Sequence, residues 1–588
     1  MSGRRRDAPS GRVRGWFVAD APDFRHRSTW LVLAFAAMAV AVSARLVDVQ
    51  LVQHSALAAA ATAKHQSSVT IRATRGRILD SSGRVLASNQ TRYDVFADPG
   101  LIPRATRVGV AEQLAPVLSL TPAAVLQLIS EPTRFVYLSK GVSQGVSDRL
   151  NNLDYSGIVV VPTEQRVYEP SPVDGGSFAA NLLGFVDPDG NGQYGLESYY
   201  NSILRGTDGH QSTIRDVTGS SITLSNDPQS AARNGSDLQL GLDSTVQYWA
   251  EQAIAQAVAS AQATSGTLIM MDTKTGAIRA WAQAPTYNAN TYYNSPLANF
   301  RDLAVSNLYE PGSIEKVVTF AGGLNTGAIA PQTTINEGPV TIDGATIHDW
   351  DYRAHGVITM QKVLDDSLND GAVKVGQFMG PTAFYKNLLA FGLGAPTGVD
   401  LAGEQNQPLG AQNTWSALDL AEAAFGQHVL VTPIEVLAAV NAVANGGVWV
   451  QPHAVQAVID PSTGVATPLV PTTRRVISAT AATTLARMMT GVVEDSGAEG
   501  SAAKIPAFKG QVAGKTGTAS VAVNGRYGSD VIVSFAGFLP ANNPQFSMLV
   551  VLNYPHENHI VRFGSTLAAP VWKQIAQVAI DQWRIIPS

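Results

Sequence analysis

A serine stands three residues before a lysine, Ser313 and Lys316, in "LYEPGSIEKVVTFAGGL". If the apolar run after Pro311-Gly312 is helical, both side chains share one face. A hydroxyl attacks a carbonyl readily only when a base takes its proton, and a desolvated lysine can be neutral and do so. The helix N-terminus would add backbone N–H groups and positive potential where an oxyanion develops. The same spacing recurs at Ser501 and Lys504, but in "DSGAEGSAAKIP", which reads as a mobile Gly/Ala/Ser-rich loop with no helix behind it. Ser313 is therefore the candidate nucleophile and Lys316 the candidate base.

Ser367-Leu368-Asn369 offers a second hydroxyl that could relay a proton and an amide that could grip a peptide group; taken alone, it reads rather as an ordinary polar pair on a helix surface. Lys-Thr-Gly occurs at 274–276, between two strand-like runs, where it reads as a hairpin turn. It occurs again at 515–517, followed by Thr518, where Lys515, Thr516 and Thr518 make a site for a carboxylate and Gly517 permits close approach. Gly514-Lys515-Thr516 also ends a nucleotide-binding P-loop, but Lys509 stands where that loop needs its first glycine, and "TASVAV" continues as strand rather than helix. His348, Asp349, Asp351 and His355 have no regular ligand spacing and read as a polar loop, so no metal is expected. Adjacent Asp365 and Asp366 diverge too much to flank one glycosidic bond. With no cysteine in 588 residues, thiolate metal sites, disulfides and a cysteine nucleophile are excluded.

The elements that must position these residues come in three textures. Arginines 4, 5, 6, 12, 14, 25 and 27 precede an uncharged run, Trp30–Ala44. The run needs extension towards Val52, with Arg45 snorkelling, to reach the length of a membrane span. The basic end would stay inside and the remainder be exported, where ATP is scarce. A signal peptide cleaved after Val42-Ser43-Ala44 is the competing reading. The boundaries expected are a basic leader over 1–27, an anchor over 28–52, a mixed α+β pedestal over 53–235, and a catalytic domain over 236–588. In the pedestal, "TRGRILDSSGRVLASNQ" reads as strand, turn and strand, and Pro116 and Pro122 interrupt a helical stretch. "GLESYYNSILRG" reads as one helix ended by Gly206, with Glu197 a structural or surface carboxylate. From residue 238 the order is helix, two strands, a long helical middle, three strands and a helix, an α/β pattern of antiparallel sheet with an inserted helical subdomain. The first of those helices is expected to bury Val246, Trp249, Ala253 and Ala257, and the last Val571, Ile575, Val578 and Ala579.

Ser-x-x-Lys, then Ser-x-Asn, then Lys-Thr-Gly is the ordered signature shared by penicillin-binding proteins and class A β-lactamases. With "TRGRILDSSGRVLA", "GLESYYNSILRGTDG", "LYEPGSIEK", "FGLGAPTGVDLAGE" and "VAGKTGTA", the chain resembles class B penicillin-binding proteins, most closely their cell-division, FtsI-type peptidoglycan transpeptidases. That resemblance implies a penicillin-binding/β-lactamase-like transpeptidase fold behind a dimerisation-type pedestal and one transmembrane helix, and no cofactor. It implies Ser313 as nucleophile, Lys316 as general base, Ser367 as proton shuttle, Asn369 on the substrate amide, and Lys515, Thr516, Gly517 and Thr518 on the terminal carboxylate. The backbone N–H groups of Ser313 and Thr518 would form the oxyanion hole. Implied partners are stem peptides on lipid-linked glycan strands, β-lactams bound covalently at Ser313, an FtsW-type glycosyltransferase and other divisome proteins; nucleic acid is not among them. An elongation-type transpeptidase, a D,D-carboxypeptidase, a β-lactamase and an inactive scaffold remain alternatives. The chain departs from the usual pattern at Ser81-Ser82, at Asp370 after the Ser-x-Asn, and at His428 after Gly426-Gln427.

Overall fold

Strand sequences that are apolar at every position must be covered on both faces, and the sheet at the centre of the catalytic region is built that way. In the computed structural model, which describes residues 24–57, 66–215, 221–222, 231–495, 497–523, 526–556 and 562–587, helix α1 (Ser244–Ser260) precedes strands β1 (Ser265–Asp272) and β2 (Ile278–Ala284). Helices α2 (Lys316–Asn325), α3 (Asn369–Met379) and α4 (Ala479–Glu494) belong to the middle, followed by strands β3 (Ala513–Val523), β4 (Arg526–Leu539), β5 (Phe546–Asn553) and helix α5 (Gly564–Trp583). The sheet order is β2-β1-β5-β4-β3, antiparallel throughout. Leu268 and Met270 pack with α1 and α5 through Val246, Ile254, Trp572 and Ile575. Ile269 and Met271 face the helical subdomain with Val317, Phe320 and the wholly buried helix Pro433–Ala444.

The buried face of α1 differs from the expected one. Val246, Gln247, Ala250, Glu251, Ala253 and Ile254 are inside, whereas Trp249 is exposed and Ala257 only half-buried. Gln247 explains the rotation, since its side-chain amide donates to the Trp281 carbonyl and accepts the Trp281 N–H at 2.8 and 2.7 Å. A polar residue that satisfies a sheet edge can thus take a core position. In α5, Val571, Ile575 and Ala579 are buried as expected and Val578 is half-buried.

By contacts the chain divides into two units, one from Met1–Ile71 with Gly209–Ala231, the other from Arg72–Asp208 with Ala232–Ser588. In the first, helix Phe24–Val47 runs on into a turn over Asp48–Val52, and Ser28–Val52 is long and apolar enough to cross a membrane once. Arg45 pairs with Asp48. Strands Gln66–Ile71, Gly209–Arg215 and Ser221–Ile222 form a small sheet.

In the second unit, the pedestal strands Ile78–Leu79 and Val85–Ala97 share a sheet with Asp237–Leu240 and Val455–Ile459. The Asp80-Ser81-Ser82-Gly83 turn is closed by Asp80, which accepts the N–H groups of Ser82 and Arg84 at 2.8 and 2.9 Å. Its other oxygen accepts the Ser244 hydroxyl at the start of α1, so this turn ties pedestal to catalytic region. Pro116 does not interrupt its helix: Arg107–Leu118 is continuous through it, and the break comes at Ser119, which has φ of 57°. The one helix expected over "GLESYYNSILR" is two, Gly195–Tyr199 and Asn201–Arg205.

Glu197 is fully buried. Its carboxylate accepts Arg166 Nε and Arg75 Nε, each at 2.7 Å, and the Tyr168 hydroxyl at 3.1 Å. Burial alone would raise its pKa, but the Arg166 and Arg75 charges outweigh burial and hold it below the ordinary glutamate value. It is a structural carboxylate, not a surface one.

Candidate active site

Ser313 sits on a tight turn, Gly312–Glu315, that leads directly into α2, with Lys316 the first residue of the helix. The turn is clamped from behind. Gly312 donates its N–H to the Gly426 carbonyl at 3.0 Å, and a Cβ on Gly426 would lie 2.0 Å from the Gly312 oxygen. Gly426 also has φ of 89°, so two constraints require glycine there. Across the cleft, β3 presents Lys515 to Thr518, and a Cβ on Gly517 would meet Ser534 Oγ at 2.3 Å and Ile314 at 3.0 Å. The glycine in Lys-Thr-Gly therefore lets the strand close against the serine turn.

Three chain-distant segments converge on two buried amines. Lys316 Nζ lies 3.0 Å from Ser313 Oγ, 2.5 Å from the Ser367 carbonyl oxygen, 3.4 Å from Ser367 Oγ and 2.8 Å from Asn369 Oδ1. Lys515 Nζ donates to Ser367 Oγ at 2.7 Å. Ser367 thus lies between the two lysines, held in the left-handed region with φ of 58° and almost wholly buried. A non-glycine residue there stores strain that the surrounding structure must hold. Asn369, at the start of α3, donates its side-chain amide to the His348 carbonyl at 3.1 Å.

Both lysines are fully buried. Burial is the main reason that Lys316 falls to about 7, reinforced by the neighbouring Lys515 charge and opposed by Glu499, Asp349 and Asp370. Lys515 is also lowered by burial, against the pull of Glu499 and Asp365. An amine poised near neutrality beside a hydroxyl is a base in waiting. Ser313, Ser367, Asn369, Thr516 and Thr518 line a cleft of about 720 Å³. Thr518 Oγ1 accepts the Gly564 N–H at 3.2 Å.

Among the described residues, neither the first Lys-Thr-Gly nor Ser501 lines this cleft, and of the acidic pair Asp365 acts on it through its charge on Lys515. Lys274-Thr275-Gly276 is a turn in which Asp272 accepts the Lys274 and Thr275 N–H groups. Ser501 begins a short folded turn rather than a loose loop, and the Lys504 amine donates to the Glu494 carbonyl at 2.9 Å. Asp366 pairs with Lys362 at 2.8 Å. Asp365 is buried, which with the nearby Asp495 and Asp366 pushes it up to about 7.

Residues 348–355 form a loop as expected, and within it Asp349 is 2% exposed and accepts the N–H groups of Asn369 and Asp370, capping the entry to α3. Glu337, Asp349 and His355 each bring a ligand-type atom within 4.8 Å of the others, a grouping that sequence spacing hid because Glu337 lies on a separate strand. Burial and Asp349 together push Glu337 up to about 8. Asp370 is fully buried and pushed up to about 7 by burial and Asp349. His428 has φ of 66°, donates its N–H to Glu310 at 2.9 Å and stacks its ring edge-on against Trp415.

Sequence reasoning missed Glu499. Its carboxylate accepts the Thr516 hydroxyl at 2.9 Å and lies 3.8 Å from Lys515 Nζ. No motif spacing marks it; its only signal was being the one acid between Asp495 and the Lys-Thr-Gly strand.

Residues 266–577 match the penicillin binding protein transpeptidase domain, and residues 70–240 the penicillin-binding protein dimerisation domain. Stage V sporulation protein D of Bacillus subtilis is 29% identical, covering 96% of this chain and 86% of that protein. Peptidoglycan D,D-transpeptidase FtsI of Escherichia coli is 29% identical over 87% of this chain and 84% of its own. A crystal structure of penicillin binding protein 3 from Mycobacterium tuberculosis, complexed with aztreonam, superposes with a TM-score of 0.68 at 26% identity, over 88% of this chain and 98% of that one.

Proposed function

The chain belongs to the class B penicillin-binding proteins and is a peptidoglycan D,D-transpeptidase, and from that premise we propose how its cleft performs the exchange. Neutral Lys316 accepts the Ser313 proton as Ser313 Oγ attacks the carbonyl between the two terminal D-alanines of a donor stem peptide. The backbone N–H groups of Ser313 and Thr518 hold the oxyanion. The C–N bond breaks as Ser367 gives its hydroxyl proton to the departing D-alanine nitrogen and takes in its place the proton held on Lys316, 3.4 Å away, so that an ester to Ser313 remains and Lys316 is neutral again. Asn369 holds the donor's amide, while Lys515, Thr516 and Thr518 receive its terminal carboxylate, with Gly517 keeping the strand close. An amine from a second stem then attacks the ester and loses a proton to Lys316, a new C–N bond forms as the C–O bond to Ser313 breaks, and Lys316 returns the proton to the Ser313 hydroxyl. One amide replaces another, so no nucleotide is consumed. β-Lactams, such as the aztreonam bound to the mycobacterial relative, would acylate the same serine.

The single observation that carries this reading is the buried Lys316 amine, within reach of Ser313, Ser367 and Asn369 at once. The test is labelling of the full-length protein in detergent with a fluorescent penicillin, beside Ser313→Ala and Ser501→Ala. One adduct per chain, absent only in Ser313→Ala, is the expected result; an adduct that survives Ser313→Ala would remove the assignment.

The likeness to FtsI over most of both chains favours a septal role. In that role the basic leader (1–27) stays inside, the anchor (28–52) spans the membrane, and the pedestal (53–235) and transpeptidase domain (236–588) lie outside, with an FtsW-type glycosyltransferase and other divisome proteins as neighbours. Depletion should then give filaments with incomplete septa and a fluorescent fusion should gather at midcell; rounded cells with a lateral signal would mean elongation instead.

A further inference from the structure

The cleft that takes the donor's carboxylate already holds a carboxylate. Thr516 Oγ1 gives its hydrogen bond to Glu499 Oε2 at 2.9 Å, and the same oxygen lies 3.8 Å from the Lys515 ammonium. Glu499 is not a stray surface side chain reaching inward. It is 27% exposed, lines the cleft with Ser313, Thr516 and Thr518, and rides on a turn fixed by two backbone bonds, Gly500 N–H to the Val492 carbonyl and Ala498 N–H to that of Asp495. The hydrogen bonds of Lys515 go to the neutral oxygens Ser367 Oγ, the Thr516 carbonyl and Thr516 Oγ1, and Glu499 supplies the anionic charge that pairs with the amine. Asp365 adds a charge interaction with Lys515 but does not line the cleft.

A hydroxyl has one hydrogen to donate, and two carboxylates at one ammonium repel each other. We propose that Glu499 is a resident carboxylate occupying the place that the donor's terminal carboxylate needs, so that an anionic acyl donor must displace it before Ser313 can react. This rests on the reading of the cleft given above and makes Glu499 a specificity-determining residue. It sets a penalty on the donor's charge and leaves the bond-making step to Ser313 and Lys316. A donor of the same shape without that charge meets no such competition.

The test compares benzylpenicillin with its neutral methyl ester on full-length protein, wild type and Glu499→Gln, by rates of adduct formation in intact-mass spectra. Removing the resident charge should raise the second-order acylation constant of the acid ~10-fold, the scale of one charge-assisted contact, and change that of the ester less than ~2-fold. The gain should lie in the concentration needed for half-saturation, not in the saturating rate. Loss of Glu499 also lowers the pKa of Lys316, whose surroundings include Lys515, Asp349 and Asp370. That change acts on acid and ester alike and cancels in their ratio. Glu499→Asp, with a side chain one carbon shorter, should fall between wild type and Gln, which keeps the test valid if the amide variant folds poorly. An acid-to-ester ratio unchanged in both variants, or a slower acid, overturns the proposal. An adduct mapped to a residue other than Ser313 would instead overturn the reading of the cleft itself, so the two failures are distinguishable.

Discussion

Two fully buried charges, Glu197 in the pedestal and Lys316 in the cleft, meet the same physics and come to opposite ends. Glu197 has two guanidinium groups and a phenol on its oxygens and is held ionised, below the ordinary glutamate value, although burial opposes this. Lys316 has only neutral oxygens in contact, a second cation close by, and carboxylates acting at longer range, so burial wins and its pKa falls to about 7. A charge whose partners are all opposite ions becomes a strut. One denied them becomes a proton acceptor at working pH. The Ser-x-x-Lys spacing marks Lys316 in the sequence, but no spacing marks the partners that hold Glu197.

The comparison breaks most visibly by exchanging each charge for a neutral side chain. Lys316→Met should slow penicillin acylation by about 10³-fold or more, roughly 4 kcal/mol of barrier, while the melting temperature holds or rises, because an uncompensated buried ammonium is removed. Glu197→Gln should do the reverse. It strands Arg75 and Arg166 and should cost about 3–5 kcal/mol in denaturant unfolding, while the folded fraction acylates at the wild-type rate. A Glu197→Gln protein as stable as wild type would show that its box is not a strut.

How far the sequence reveals either site follows from the same contrast. The three motifs were legible because their chemistry demands residue types at fixed local spacing, and the sheet around them was legible because strands buried on both faces are apolar throughout, as in Leu268–Met271. The Glu197 box was not, because its members come from residues 75, 166, 168 and 197, and ion pairing imposes no spacing along the chain. Glu499 and the grouping of Glu337 with Asp349 and His355 escaped for the same reason. Trp249 was misplaced because apolarity was counted and hydrogen bonding was not: Gln247 takes the core position by satisfying the Trp281 backbone.

A smaller effect separates the two charges by pH. Lys316 is depressed in the folded chain from an ordinary 10.5 to about 7, so the unfolded chain binds the extra proton between those values. Folding stability therefore rises with pH across that window, and below about 7 the lysine imposes its full cost. The stability advantage of Lys316→Met should be largest near and below pH 7 and shrink towards pH 10.5, as read by denaturant unfolding at several pH values. Acylation by wild type should climb through about pH 7 as the amine loses its proton. Glu197, depressed from an ordinary 4.5, gives stability that is present above that value and lost as pH falls below it. A flat difference between Lys316→Met and wild type from pH 7 to 10 would mean that the buried amine stays charged, and the contrast with Glu197 would fail.

The smallest change asks which partners hold Glu197. Tyr168→Phe removes the hydroxyl that donates to Glu197 Oε1 at 3.1 Å and leaves the ring, buried among the same neighbours, in place. Arg166 still serves that oxygen at 2.7 Å, and Arg75 the other. If the two guanidiniums do the compensating, the loss should be about 0.5–1.5 kcal/mol, the net worth of one hydrogen bond, and the acid limb of the stability profile should barely move. A loss as large as that of Glu197→Gln would make the phenol an equal partner. The strut would then be a hydrogen-bonded network and not an ion pair doubled, and its contrast with Lys316, which also sits in a network of neutral oxygens, would rest on the sign of the nearest charge alone.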